Sequence, residues 1–118
     1  MTGSSELTQK RCEPCEGKGN PFNRQEAQKM LSQIPGWQIH ENGKMIFREF
    51  NMKNFMAAVK FINQIAEIAE ADNHHPDIHL TGYRKLKIEL STHAIGGLSE
   101  NDFIVAAKIN TLPVELKK

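Results

Sequence analysis

The residues able to carry chemistry fall in two short stretches. The first is Glu70-Ala-Asp-Asn-His-His-Pro76, in which two adjacent imidazoles follow a carboxylate by about one helical turn. The second is Ser91-Thr-His-Ala-Ile-Gly-Gly-Leu-Ser-Glu-Asn-Asp102, which brings a third histidine, His93, and a second carboxylate, Asp102. Histidine titrates near neutrality, so each of the three can give or take a proton at physiological pH. Glu70 and His74 are four residues apart and share a face if the helix before them persists to His74. Pro76 disfavours helical geometry at His75, so the chain must turn extended there.

Taken singly, each of these residues has a plain structural role available. His74 can be a charge at a helix end, Asp102 the partner of Ser99 in a capping box, and His93 an exposed residue at a strand end. His79 lacks a motif partner and reads as surface. The joint spacing is what favours a site. A zinc centre drawn from His74, His75, His79 or His93 with Asp102 is the competing chemistry. Adjacent histidines point apart in extended chain and no His-x-x-x-His pair lies on a helix, so no metal is expected. Cys12 and Cys15 form a lone Cys-Glu-Pro-Cys in a polar segment, half of a zinc site or a redox dithiol at most, and read as two thiols in a flexible leader.

The elements that must position these groups can be followed along the chain. Residues 1–21 are rich in Gly, Ser, Glu, Lys and Pro, have almost nothing to bury and read as a flexible leader. Asn23 with Glu26 predicts a capping box and a short helix to about Gln33, which Pro35-Gly36 stops. Trp37 and Ile39 begin a strand, Asn42-Gly43 is a hairpin signal, and 44–50 return, with apolar groups on both faces. Asn51 is expected to cap a long helix over roughly 52–71, with Phe55, Ala58, Val59, Ile62, Ile65, Ala66 and Ala69 as its core stripe. Met52, Met56 and Phe61 lie outside that stripe and suggest that part of the helix faces another subunit. A strand over about 84–92 alternates Leu86, Ile88 and Leu90 with Lys85, Lys87, Glu89 and Ser91, the pattern of a half-buried antiparallel strand. Ser99 then caps a final helix with Phe103, Ile104, Ala106 and Ala107 on its apolar side, and Pro113 begins a tail. The order α-β-β-α-β-β-α predicts an α+β fold: a small antiparallel sheet of about four strands with helices packed on one face.

Composition bounds the function. The 118 residues suffice for one domain, and 39% hydrophobic with 25% charged is ordinary globular usage. A formal net charge of +1 gives no electrostatic case for nucleic acid or an anionic membrane as partner. No apolar run is long enough to span a bilayer and the N-terminus lacks a secretory pattern, so a cytoplasmic protein is expected.

The two stretches together resemble the pterin-4a-carbinolamine dehydratases. The resemblance rests on Glu70-x-x-x-His74-His75-Pro76, Tyr83, Ser91-Thr92-His93 and Gly97-Leu98-Ser99-x-x-Asp102, extends to Pro35-Gly36-Trp37, and covers about 23–110. Six residues separate Pro76 from Tyr83, one more than in the family pattern, and the extra residue is expected near Gly82. The resemblance implies a dehydratase-like domain over 22–112, between the leader and a tail at 113–118. It implies removal of water from 4a-hydroxytetrahydropterin to give quinonoid dihydropterin, in tetrahydrobiopterin recycling. His74 and His93 are the implied acid–base pair, with His75 and Asp102 completing the catalytic set. Glu70, Pro76, Thr92 and Trp37 are the implied substrate contacts, Glu70 also serving as an orienter. Hydroxide is a poor leaving group at neutral pH, so an acid must protonate it while a base takes a ring N–H proton; neither step requires a metal or a cofactor. The implied partner is the pterin itself, in a homodimer or homotetramer. The alternative is a non-catalytic interaction or dimerisation module on the same fold, since some animal relatives double as dimerisation cofactors of a transcription factor.

Overall fold

The structure, a computed structural model, describes residues 7–9 and 21–117. The leader expected over 1–21 therefore lies almost wholly outside the described residues, Cys12 and Cys15 included. Leu7 departs from a segment with nothing to bury, because it is helical and belongs to the hydrophobic core.

Helix α1 (Arg24–Leu31) opens with the expected capping box. Asn23 Oδ1 accepts from the Glu26 N–H at 2.8 Å, and Glu26 Oε1 accepts from the Asn23 N–H at 2.9 Å. Two otherwise orphaned donors are thereby satisfied. Gly36 follows at φ +92°, and a Cβ there would lie 2.8 Å from Arg48 Nε, so this stop admits only glycine. Strand β1 is short (Gln38–Ile39) and reaches β2 (Ile46–Asn51) through the predicted Asn42-Gly43 turn. In that turn the His40 N–H donates to Met45 O and the Gly43 N–H to His40 O, both at 2.8 Å.

Helix α2 runs Phe55–Asp72, and its cap is Asn54, not Asn51. Asn54 Oδ1 accepts from the Ala57 N–H at 2.8 Å. Asn51 is kept in the sheet instead, paired with Lys85 and accepting the Lys117 N–H at 2.8 Å. The tail expected from Pro113 onward is thus tied to the body. Leu116 bridges Met52, and the Lys53 N–H donates to Glu115 O at 2.9 Å.

Strands β3 (Asp77–Thr81) and β4 (Lys85–Leu90), a 3-10 turn (His93–Ile95) and helix α3 (Glu100–Asn110) complete the fold. In the β3–β4 loop, where the extra residue before Tyr83 is expected, Gly82 and Tyr83 both take positive φ.

The sheet has the order β1-β2-β4-β3 and is antiparallel throughout. Its register aligns Ile46 with Leu90, Phe50 and Leu80 with Leu86, and Arg48 and Ile78 with Ile88, which sets the apolar residues on one face. That face and the helices share one core, in which Phe50 and Phe61 meet edge to face at 5.1 Å. The opposite face carries the row Glu49, Lys87, His79 and remains polar. Phe47 is part-covered there, with Lys87 Nζ 5.0 Å from its ring, and Lys87 and Glu89 are themselves half-buried. The α+β class with helices on one sheet face is therefore as the sequence predicts.

Two expectations about the helices are corrected. Met52 and Phe61 lie inside the core, Phe61 at 3% exposure, whereas Phe55 is 50% and Met56 72% exposed. Periodicity gave the stripe, but the core sits one residue round the helix, along Ala57, Ala58, Phe61, Ile65 and Ala69. Helix α3 is buried on all sides, Val105 and Ile109 included, because it lies within the core and not on its surface. A short aromatic contact, Phe22 to Phe103 at 5.9 Å between ring centroids, packs the chain before α1 onto it.

Candidate active site

Asp102 is the fixed point of the site. It is the third residue of α3 and fully buried. Its Oδ2 accepts from the Ser99 N–H at 3.0 Å and from the Thr92 hydroxyl at 2.8 Å. Its Oδ1 lies 2.7 Å from His74 Nε2. Thr92 and Ser99 hydroxyls are themselves 2.7 Å apart, and the Asn101 N–H donates to Ser99 Oγ at 3.2 Å. A buried carboxylate is costly unless its lone pairs are satisfied, and here three donors satisfy them. The capping role and the contact with His74 are thus held by one side chain, one oxygen each.

His74 reaches Asp102 because α2 stops short of it. Asn73 takes the left-handed conformation at φ 50°, and the His74 N–H folds back to Ala69 O at 3.1 Å. This is a Schellman arrangement, with asparagine where glycine is usual. The turn takes His74 off the face of Glu70, so the face-sharing expected of that pair does not occur. Glu70 instead pairs with His75, its Oε2 at 2.5 Å from His75 Nε2. The adjacent imidazoles do point apart. The His74 side chain is 13% exposed and faces the interior carboxylate, whereas that of His75 is 55% exposed.

A carboxylate can only accept, so His74 Nε2 carries the proton in this contact, which leaves Nδ1 as the ring's other nitrogen for a second partner. The ring makes no second side-chain hydrogen bond among the described residues. His93 is exposed at the start of the 3-10 turn, one residue beyond Thr92, which holds Asp102. The loop carrying it is closed by paired bonds between Thr92 and Gly97, from the Thr92 N–H at 2.7 Å and the Gly97 N–H at 3.3 Å. Gly97 packs so closely that a Cβ there would meet Pro21 at 2.7 Å.

The remaining predicted residues separate. Pro76 is half-buried between His75 and β3. Thr92 is engaged with Asp102 and Ser99. Trp37 is buried in the core, its indole N–H donating to Asn110 Oδ1 at 2.9 Å. Arg48 Nη1 bonds the same oxygen at 2.6 Å, and burial lowers the Arg48 pKa. Asn110 lies eight residues beyond Asp102 on α3, about 12 Å along its axis, so Trp37 is not brought to the histidines. Tyr83 is exposed in the β3–β4 loop, with the Arg84 guanidinium 4.9 Å from its ring. Ser99, which the sequence marked as a cap and as part of the family motif but not among the site residues, links Thr92 and Asp102. Among the described residues no three His, Cys, Asp or Glu side chains group so as to hold a metal.

A small α+β domain here holds an imidazole against a buried, fully bonded carboxylate, with two further histidines in the adjoining segments. Comparison with known proteins gives the family. The family model for pterin 4 alpha carbinolamine dehydratase matches residues 20–112. A Halorhodospira halophila protein assigned by name to that activity is 48% identical over 106 residues, 90% of this chain and 96% of its own. The pterin-4-alpha-carbinolamine dehydratase 2, mitochondrial, of Arabidopsis thaliana is 45% identical over 94% of this chain and 61% of its own. A crystal structure of a transcriptional coactivator/pterin dehydratase from Brucella melitensis superposes with a TM-score of 0.73 at 33% identity, over 78% of this chain and 97% of that one. The chain belongs to the pterin-4a-carbinolamine dehydratase family.

Proposed function

We propose that the protein dehydrates 4a-hydroxytetrahydropterin to quinonoid dihydropterin by histidine general acid–base catalysis, and so serves tetrahydrobiopterin recycling in the cytoplasm. The observation that carries this reading is His74 Nε2 at 2.7 Å from the buried Asp102 carboxylate, in a chain of this family. The reaction needs one proton delivered to the departing C4a hydroxyl and one removed from a ring nitrogen. The C–O bond breaks, water leaves, and the nitrogen lone pair forms the new double bond; no electrons are exchanged with an outside reagent. His74 and His93 are the acid and the base. Asp102 holds the His74 ring and sets the charge beside it. His75, tethered by Glu70, shapes the pocket and hydrogen-bonds the pterin. A positioned acid–base pair contributes roughly 10² to 10⁴-fold.

The test is water elimination from a synthetic 4a-hydroxytetrahydropterin, followed by ultraviolet absorbance. Turnover well above the spontaneous rate is expected. A rate equal to the uncatalysed one, with a protein partner retained in pull-down, favours the interaction-module reading that the Brucella transcriptional coactivator/pterin dehydratase raises.

A further inference from the structure

Helices α2 and α3 are joined a second time, just behind the His74–Asp102 contact. Lys108 Nζ lies 2.6 Å from Asp72 Oδ2. Asp72 is the last residue of α2, with its side chain 2% exposed, and Lys108 on α3 is 20% exposed. The two contacts are opposite in polarity. The end of α2 offers a carboxylate to a cation of α3; two residues later, past Asn73, the chain offers an imidazole to a carboxylate of α3. Asp102 and Lys108 are six residues apart, about 9 Å along α3. Two contacts so separated set both the translation and the rotation of the α2 terminus against α3.

Stability alone does not account for the pair. Taking two charges out of water costs about what their attraction returns, and an apolar pair of similar volume does as well or better. What a charged pair of fixed geometry adds is register, because a shift by one helical turn leaves a carboxylate buried without a partner. Among the described residues the buried polar and charged ones are Asp72, Thr92, Asn101 and Asp102. Thr92 and Asp102 belong to the site and Asn101 adjoins it, so Asp72 is the one that the proton-transfer chemistry does not use.

We infer that Asp72 and Lys108 are positioning residues for the dehydration: they hold the end of α2 in the register that puts His74 Nε2 on Asp102. This rests on the acid–base reading of the site. The test compares Lys108→Met, Lys108→Arg and Asp72→Asn with the unaltered protein in two measurements. One is the kcat and KM for 4a-hydroxytetrahydropterin. The other is the proton NMR resonance of the His74 ring N–H, which a hydrogen bond to carboxylate shifts downfield and shields from exchange. Lys108→Met is expected to lower kcat by about tenfold or more with KM within about twofold, and to lose the resonance. Lys108→Arg is expected to restore both. If Lys108→Met keeps kcat and the resonance, or if kcat and KM change while the resonance stays, the inference is overturned. If Lys108→Met does not fold, Asp72→Asn decides: a lost resonance upholds the inference and a retained one ends it. If the unaltered protein shows no turnover, the dehydratase reading fails, and the resonance alone then decides whether the pair sets the register.

Discussion

Asp102 shows how one side chain can carry two functions without conflict. Its Oδ2 completes the α3 cap with Ser99 and Thr92, and its Oδ1 is left for His74. His74 and His93 lie outside the hydrophobic core, so removing either ring should leave the fold itself in place. His74→Ala and His93→Ala are each expected to lower kcat by roughly 10² to 10⁴-fold, His93→Ala with unchanged thermal unfolding and His74→Ala with a loss of about 1–3 kcal/mol, because it strips a donor from the buried Asp102. Steady-state kinetics beside circular dichroism checks this, and wild-type rates in both variants would end the acid–base proposal. Proton transfer by imidazole uses no Lewis acid. Incubation with EDTA is therefore expected to leave turnover unchanged, and loss of activity restored by zinc would point to a metal-dependent step.

At the scale of elements, the contact between α2 and the sheet decides whether the site exists at all. Phe61 packs edge to face on Phe50 and is buried. Phe61→Ala is expected to destabilise the fold by about 3–5 kcal/mol, read by urea unfolding; a loss under about 1 kcal/mol would mean that the helix is not seated there. Phe61→Lys, a change aimed at subunit contacts if Phe61 lay on an outer stripe, would instead bury an unpaired charge. Across the β3–β4 ladder, Glu89 Oε1 meets His79 Nε2 at 2.7 Å and Glu89 Oε2 meets Lys87 Nζ at 3.5 Å. Burial by itself raises the Glu89 pKa, but the hydrogen bond from His79 and the charge of Lys87 outweigh it and hold the carboxyl below its ordinary 4.5. A depressed folded pKa means stabilisation that is complete above the unfolded value and lost as pH falls through the folded one. Glu89→Gln should therefore be less stable than wild type at about pH 5, with the gap narrowing as pH falls below the ordinary carboxylate range. A gap that stays constant over that range would rule out the ladder pair as its source.

The whole molecule leaves one helix face unfinished. Phe55, Val59, Ile62 and Ala66 recur at spacings of four, three and four, all exposed or half-exposed, with Met56 beside them. Exposed apolar surface costs roughly 25 cal/mol per Å², and a seam of this period suits a second helix. A symmetric homo-oligomer, at least a dimer, is the expected state. Multi-angle light scattering at micromolar concentration should give a multiple of 13.4 kDa, and Met56→Lys should shift the mass downward while leaving the monomer folded. A monomeric mass for the unaltered chain would exclude this assembly.

The sequence by itself determined the element order, the two caps built from Asn23 and Ser99, the central alternating strand and the two stretches that carry the histidines. These are local features: a capping box spans four residues, alternation spans a strand, and a proline acts on its neighbour. The fold class follows from them because a half-buried sheet must be covered by the helices beside it. Only the tertiary structure decided which histidine takes which carboxylate. That choice turns on Asn73, whose left-handed φ moves His74 from Glu70 to Asp102, a residue 28 positions away. It likewise decided that Asn54 and not Asn51 caps α2, that Phe61 faces inward and Met56 outward, and that Trp37 spends its N–H on Asn110. In each case the sequence offers two partners of similar chemistry, and the choice depends on the packing of a distant element, which no local pattern contains.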